Sequence, residues 1–221
     1  MANTPHNTIL VSTTLPKKGN HIPPFTTDRL IVRPFVSSDF ETFYSMAVES
    51  YEESPNIDKN SVQAAMNEFV SETSMNYGIF LKNSDGSEGE LIGDGGMWDI
   101  ASKHTGWPEF GYRLSKLHRG KGYATEFAKA YVQSWWRLER TNVHIHLVPC
   151  FPHLTEHQGQ LPEQLFSTTS KENKASQRVL EKVGFERFDD DEDEDVYWLL
   201  EIISWFFFLF LACYFFWFFL P

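Results

Sequence analysis

Leu114-Ser115-Lys116-Leu117-His118-Arg119-Gly120-Lys121-Gly122-Tyr123-Ala124-Thr125 is the stretch on which the fold turns. Before it, Glu109 to Leu114 reads as a strand; after it, Thr125 to Trp136 reads as a helix. A strand, a glycine-containing loop and a helix start make an anion site. Glycine lets the backbone approach a ligand, and the first N–H groups of a helix have no acceptor inside it. They point above the helix N-terminus, where the dipole favours negative charge. Arg119 and Lys121 add formal positive charge. A phosphate is the expected guest, and a pyrophosphate suits a loop of this length best.

Two patterns describe such a loop. The dinucleotide fingerprint G-x-G-x-x-G is met at Gly120 and Gly122, but Thr125 stands at its third glycine. The next predicted strand, Asn142 to Val148, ends without an acid to hold a ribose, and Glu139, the nearest, precedes it. The pattern R/Q-x-x-G-x-G/A is met in full by Arg119, Gly122 and Ala124. In this the loop resembles the acetyl-CoA pyrophosphate loop of the GNAT superfamily of N-acetyltransferases.

Other landmarks extend the resemblance. Asn173, Ser176, Val179, Leu180, Gly184 and Phe185 fit the N-x-x-S-x-x-V-L-x-x-x-G-F helix and turn of that superfamily. Thr27 to Phe35 is similar to its first strand, Glu90 to Met97 to its third and Glu109 to Leu114 to its fourth. The likeness covers roughly residues 26 to 200 and is nearest the Rim-type branch, named for enzymes that acetylate ribosomal proteins.

The resemblance implies a mixed α/β chain with the GNAT acyl-CoA N-acyltransferase fold. Its central, mostly antiparallel, twisted sheet has splayed fourth and fifth strands and is flanked by helices. It implies acetyl-CoA as acyl donor and a primary amine as acceptor, on a small molecule, a peptide or a protein N-terminus. Transfer would be direct attack in a ternary complex. Arg119, Gly120, Lys121, Gly122, Tyr123, Ala124 and Thr125 would grip the pyrophosphate. The backbone of Gly111, Tyr112, Arg113 and Leu114 would run beside the pantetheine arm, one N–H facing the thioester oxygen. Glu109 would accept the amine proton through water, and Ser176 would return a proton to the leaving sulfur. Asn173 would fix the cofactor arm, cap its helix, or both. Glu109 also reads as a solvated strand residue after Pro108, and Ser176 as a helix-start hydroxyl bonding local backbone.

Composition excludes several classes. The formal net charge is −11, and seven of the negative charges lie in one run, Asp189 to Asp195, so the remainder is an ordinary balance near −4. No basic face points to nucleic acid. Cys150 and Cys213 are too few for a disulfide framework, so a reducing compartment, the cytoplasm, is expected. The first 25 residues are polar, contain four prolines and lack the apolar core of a secretory signal. Ala2 excludes N-myristoylation, which needs glycine there. His144 and His146 share a strand face, with His153 and His157 beyond, but their spacing matches no strong zinc pattern, and no metal is expected. His118 reads as a surface residue.

Along the chain, residues 1–25 read as a flexible arm and 26–201 as the catalytic domain. Leu30 to Phe35 reads as a strand, and Ser37 or Ser38 as the cap of a helix bearing Phe40, Phe43, Tyr44 and Ala47. A second helix begins near Asn60 or Ser61. Tyr77 to Leu81 and Leu91 to Met97 form a hairpin around Asn83 to Ser87. Residues 149–172, with Pro149, Pro152, Gly159 and Pro162, read as an irregular insertion. The acidic run 189–195 reads as a solvated loop between the last two strands; a minor reading is attraction of cationic substrates.

The tail, 202–221, carries no charge, and eight of its residues are phenylalanine. Ile202 to Leu220 could just span a hydrocarbon core of about 30 Å as a helix. Three readings stay open: a membrane tail anchor with the domain in the cytosol, a mis-spliced or read-through gene end, or an element packed on the domain. Three classes of function also stay open. They are an N-acetyltransferase, a non-catalytic CoA-binding or interaction protein of the same fold, and a dinucleotide enzyme, disfavoured by the missing ribose acid and by the segment Asn173 to Phe185.

Overall fold

The computed structural model describes residues 8–50, 58–71, 73–148, 160–190 and 195–201. The tail 202–221, residues 149–159 of the expected insertion and the middle of the acidic run, 191–194, lie outside the described residues. Ten strands and four helices occur among the described residues, a mixed α/β chain whose strands pair mostly antiparallel. They fall into two compact units, Lys18–Trp98 with Phe110–Leu138, and Met1–Lys17 with Asp99–Glu109 and Glu139–Pro221.

The first of these units holds β2 (Phe25–Thr26), β3 (Leu30–Pro34), β4 (Met75–Lys82), β5 (Glu88–Asp99) and β6 (Glu109–Leu114), hydrogen-bonded in that order. Two strands straddle its limits by a single residue, Asp99 and Glu109. Helices α1 (Phe40–Ser50) and α2 (Lys59–Phe69) bury Phe43, Met46, Ala47, Val62 and Met66 against Phe35, Phe80 and Leu91. Helix α3 (Tyr123–Trp136) buries Phe127, which stacks on Phe110, and Tyr131, which meets Tyr77 edge-on. This is the 3.6-residue and two-residue periodicity of the sequence realised as two layers on one sheet.

Local chemistry sets the ends of these elements. Asp58 caps α2 by accepting from Asn60 and Ser61 N–H, slightly earlier than the expected start. The expected serine cap of α1 is replaced by a 3-10 turn, Ser37–Asp39, in which the Asp39 carboxylate accepts from Val36 N–H. The same carboxylate receives two bonds from Arg33, at 2.8 and 3.0 Å, and Arg33 also binds Glu88. Asp85 and Gly86 make the β4–β5 turn, with Ser87 N–H on Asp85 Oδ1. On β5, a Cβ at Gly95 would lie 2.6 Å from the Phe127 ring, so only glycine lets α3 pack this closely.

In the other unit the strand expectations change. Residues 9–16, expected as part of a flexible arm, form β1 (Ile9–Pro16). It pairs antiparallel with β7 (Arg140–Leu147), Ile9 opposite Leu147 and Pro16 opposite Arg140. The segment expected as the fifth strand of the main sheet is thus half of a separate ribbon. The strand beside the start of β6 is β8 (Gln164–Ser170), inside the expected irregular insertion. Glu109 pairs with Phe166 in parallel. β8 also pairs along its length with β10 (Asp195–Glu201), which pairs with β9 (Glu186–Asp190).

β8 escaped detection because it is polar in composition yet buried. Leu165 and Phe166 are inaccessible, Ser167 and Thr169 are buried with them, and Trp198 Nε1 donates to Thr169 Oγ1 at 2.9 Å. A strand covered on both faces shows no polar–apolar alternation. Val11, Trp107, Leu147, Leu161 and Phe166 form the core of this unit, and Arg140 pairs with the fully buried Glu163 at 2.9 Å. Helix α4 (Lys174–Val183) ends at Gly184 in the left-handed conformation, φ 103°.

Candidate functional site

The glycine loop is a continuous strand–loop–helix in the first unit. β6 ends at Leu114, a 3-10 turn spans Lys116–His118, and α3 starts at Tyr123. Gly120 has φ 74° and Gly122, the N-cap of α3, has φ 86°, backbone that an L side chain rarely adopts. Gly122 brings no capping side chain, and the first backbone bond of the helix is Glu126 N–H to Gly122 O. By helix geometry Tyr123, Ala124 and Thr125 N–H therefore have no intrahelical acceptor. A Ser, Thr, Asp or Asn cap would fold its own oxygen onto those donors; glycine has no side chain to cover them. Arg119 and Lys121 are exposed beside them, and Arg119 Nε donates to Leu114 O at 2.9 Å, fixing the loop to the end of β6.

The structure adds Arg29, from the turn between β2 and β3. Its Nε and Nη2 lie 2.7 and 2.6 Å from Glu126 Oε2, its Nη1 donates to Lys121 O at 3.0 Å, and its guanidinium covers the Tyr123 ring. Arg29 N–H and Thr27 Oγ1 donate to Glu126 Oε1. Burial alone would raise the Glu126 pKa, but these bonds and the Arg29 charge hold it below the usual glutamate range. No sequence spacing links residues 97 apart; on its own helix the spacing offers Glu126 only Lys129, three residues on.

Gly111, Tyr112, Arg113 and Leu114 follow along β6 in the same unit. The Trp98 indole lies against Gly111, where a Cβ would come within 2.5 Å of the ring. The Arg113 side chain pairs with Asp94 through Nε–Oδ1 at 3.0 Å and Nη2–Oδ2 at 3.1 Å. Burial pushes the Asp94 pKa up, and Arg113 opposes it. His118, expected at the surface, is buried: Ser115 Oγ and His118 Nδ1 are 2.7 Å apart, and His118 packs near Tyr123.

Glu109, Asn173 and Ser176 belong to the other unit. Ser102 Oγ donates to Glu109 Oε2 at 2.7 Å, from a loop tied by Ser102 N–H to Trp107 O. Ser102 had no sequence signal, because a serine in a polar loop is common. Asn173 is the N-cap of α4: its Oδ1 accepts from Ser176 N–H at 3.0 Å. That fits the capping role considered for it, and the Ser176 side chain stays half-buried. His144 and His146 are exposed on β7, and His146 Nδ1 lies 3.2 Å from Thr8 Oγ1. Among the described residues no three His, Cys, Asp or Glu side chains are placed to hold a metal ion, and no helix is long and apolar enough to cross a membrane.

The family described as acetyltransferase (GNAT) domain matches residues 29–186. Solved structures share the fold. An acetyltransferase of the GNAT family from Bacillus anthracis is 19% identical, with TM-score 0.57, covering 80% of this chain and 98% of that one. Mycobacterium smegmatis RimJ in complex with CoA-disulfide is 14% identical, with TM-score 0.53 and coverages of 79% and 83%. Spermidine N-acetyltransferase from Vibrio cholerae, in complex with CoA and spermine, is 16% identical, with TM-score 0.50 and coverages of 79% and 96%. No curated protein matches.

Proposed function

This chain belongs to the GNAT acetyltransferase family, and from that premise we propose that it transfers the acetyl group of acetyl-CoA to a primary amine by direct attack. The observation that carries the reading is the left-handed Gly122 cap, which opens the α3 N-terminus between Arg119 and Lys121. Tyr123, Ala124 and Thr125 N–H would hold the pyrophosphate, helped by the helix dipole and the two cations. The backbone of Gly111 to Leu114 would orient the pantetheine arm and supply an N–H to the thioester oxygen.

Glu109 would take the amine proton, directly or through one water, and its bond from Ser102 would hold the carboxylate in one orientation. Ser176 would give a proton to the departing sulfur. The demand on the base depends on the acceptor. An α-amine, with an ordinary pKa near 8, needs little help, while a lysine or polyamine nitrogen near 10.4 needs more. The acidic run Asp189 to Asp195 would draw a cationic acceptor by long-range attraction that salt weakens. The domain would work in the cytosol, and residues 202–220 would decide whether it also touches a membrane.

Two measurements test the reading. Calorimetric titration should show binding of acetyl-CoA and none of NAD. Release of free thiol from acetyl-CoA should then depend on an added amine, scanned across N-terminal peptides, polyamines and small amines. Binding of NAD in place of acetyl-CoA would overturn the family-based mechanism. Binding of acetyl-CoA without thiol release for any amine would favour a non-catalytic CoA-binding protein.

A further inference from the structure

We infer that Arg29 is a positioning residue for the donor's pyrophosphate: it orients the Lys121–Gly122 peptide and cancels the Glu126 charge beside the α3 N-terminus. The inference rests on the acetyl-CoA reading of the loop.

Three observations within one compact unit carry it. First, Arg29 Nη1 donates to Lys121 O at 3.0 Å. In a trans peptide the carbonyl and the following N–H point in opposite directions, and no cis peptide occurs among the described residues. Holding Lys121 O toward Arg29 therefore aims Gly122 N–H away from it. Gly122 is the residue whose left-handed φ opens the helix N-terminus, so this N–H can join those of Tyr123 and Ala124 as a donor to one anion. Without the clamp the peptide is free to flip, and its carbonyl would then face the phosphate.

Second, Glu126 lies in the first turn of α3. A carboxylate is favoured there by the dipole, and for that reason competes with a bound anion. Its side chain is only 18% exposed, so water screens it poorly. Arg29 meets Oε2 with two nitrogens, at 2.7 and 2.6 Å, and its backbone N–H meets Oε1 at 2.9 Å. The pair is neutral as a unit, and the loop keeps the positive potential of Arg119, Lys121 and the helix end.

Third, all three guanidinium nitrogens have protein acceptors, and its face covers Tyr123, 4.5 Å from the ring centroid. Three of the five guanidinium N–H donors are thus committed to the loop and its helix, through which Arg29 acts. A Cβ at position 122 would lie 3.3 Å from its Nη2, so glycine at this position also serves the clamp. Lysine could match the charge but not the fork that joins a carboxylate and a carbonyl at once.

The test compares two donors that differ in the pyrophosphate. The full chain and its Arg29→Ala, Arg29→Lys and Arg29→Ala/Glu126→Gln variants are titrated with acetyl-CoA by calorimetry. The same proteins are titrated with acetyl-pantetheine, which lacks the pyrophosphate, by ligand-observed NMR. Arg29→Ala should weaken acetyl-CoA about tenfold or more, the scale of one charge-assisted bond, and acetyl-pantetheine by less than about twofold. Adding Glu126→Gln should recover part of the loss, and Arg29→Lys should fall between.

Unchanged acetyl-CoA affinity, or equal weakening of both donors in a folded variant, overturns the role. If Arg29→Ala does not fold, Arg29→Lys is read by the same two criteria. A parent chain that binds neither donor overturns the acetyl-CoA reading, and this role with it. A parent that binds acetyl-CoA while its Arg29 variants do so equally overturns the role alone.

Discussion

Ser102 Oγ donates to Glu109 Oε2 across 2.7 Å, and Ser102 is itself 2% exposed. Its own backbone is held by Trp107 O and Gly106 N–H, so the hydroxyl has little freedom to turn away. A carboxylate at the first residue of β6, paired opposite Phe166, is thereby given a fixed direction.

This pair yields the first prediction. Glu109→Gln keeps the shape and removes the basicity. It should lower kcat by about 100-fold or more while leaving acetyl-CoA affinity nearly intact. Ser102→Ala removes only the orienting bond and should cost a smaller loss, roughly 3- to 10-fold in kcat. Steady-state rates with the best amine, beside calorimetric affinities, check both. Full activity in Glu109→Gln would sink the assignment.

The glycine loop yields the second. Gly122→Val demands a β-branched side chain at φ 86° and sets it against Arg29. The backbone strain alone is about 1–3 kcal/mol. Acetyl-CoA affinity should fall about tenfold or more in a variant that still folds. Gly120→Ala has the same sign of φ but open space around it, so it should weaken binding less. Equal and negligible effects of both substitutions, read by calorimetry, would show that the loop does not approach the donor.

The third concerns acid stability. Burial would raise the Asp39 pKa, but the Arg33 bonds, Val36 N–H and the Arg33 charge together hold it below its ordinary value of 3.8. A depressed carboxylate contributes stability that is fully present above the unfolded pKa and is lost as pH falls through the folded one. The Asp39 contribution, read as the difference in urea unfolding between the parent and Asp39→Asn, should therefore be nearly constant from about pH 7 to 5 and decline below about pH 4. Glu126, also depressed, acts in the same direction. Asp39→Asn should lose about 1–2 kcal/mol at pH 7 and show a shallower acid decline. Identical pH curves for parent and variant would contradict the pairing.

The fourth concerns the tail. Ile202 to Leu220 carries no charge and is dominated by aromatic residues. A chain ending at Glu201 keeps β10, whose loss would expose the edges of β8 and β9. It should stay in the supernatant on sedimentation and bind acetyl-CoA as the full chain does, whereas exposed apolar surface in the full chain should promote association or membrane partitioning. A folded truncation that no longer binds acetyl-CoA would make the tail part of the active domain.

The sequence by itself determined the features whose causes are local. Gly122 had to adopt a backbone open to glycine, and Arg119 and Ala124 flanked it at the family's spacing; the helix start followed within a few residues. Asn173 caps a helix through a bond three residues away, and Asp85-Gly86 closes a hairpin turn, each within reach of its own chain neighbours. The tertiary structure alone decided the partners of strands. Val11 and Ile145 could alternate inward in any sheet, and only their mutual pairing puts them in a ribbon. It alone made the Ser- and Thr-rich Gln164–Ser170 an inner strand, because burial on both faces erases the alternation that marks a strand in sequence. It alone set Arg29 on Glu126 and Lys121, and Ser102 on Glu109. An arginine or a serine carries no mark of its acceptor in the sequence; the acceptor is chosen by which backbones the packed layers bring within about 3 Å.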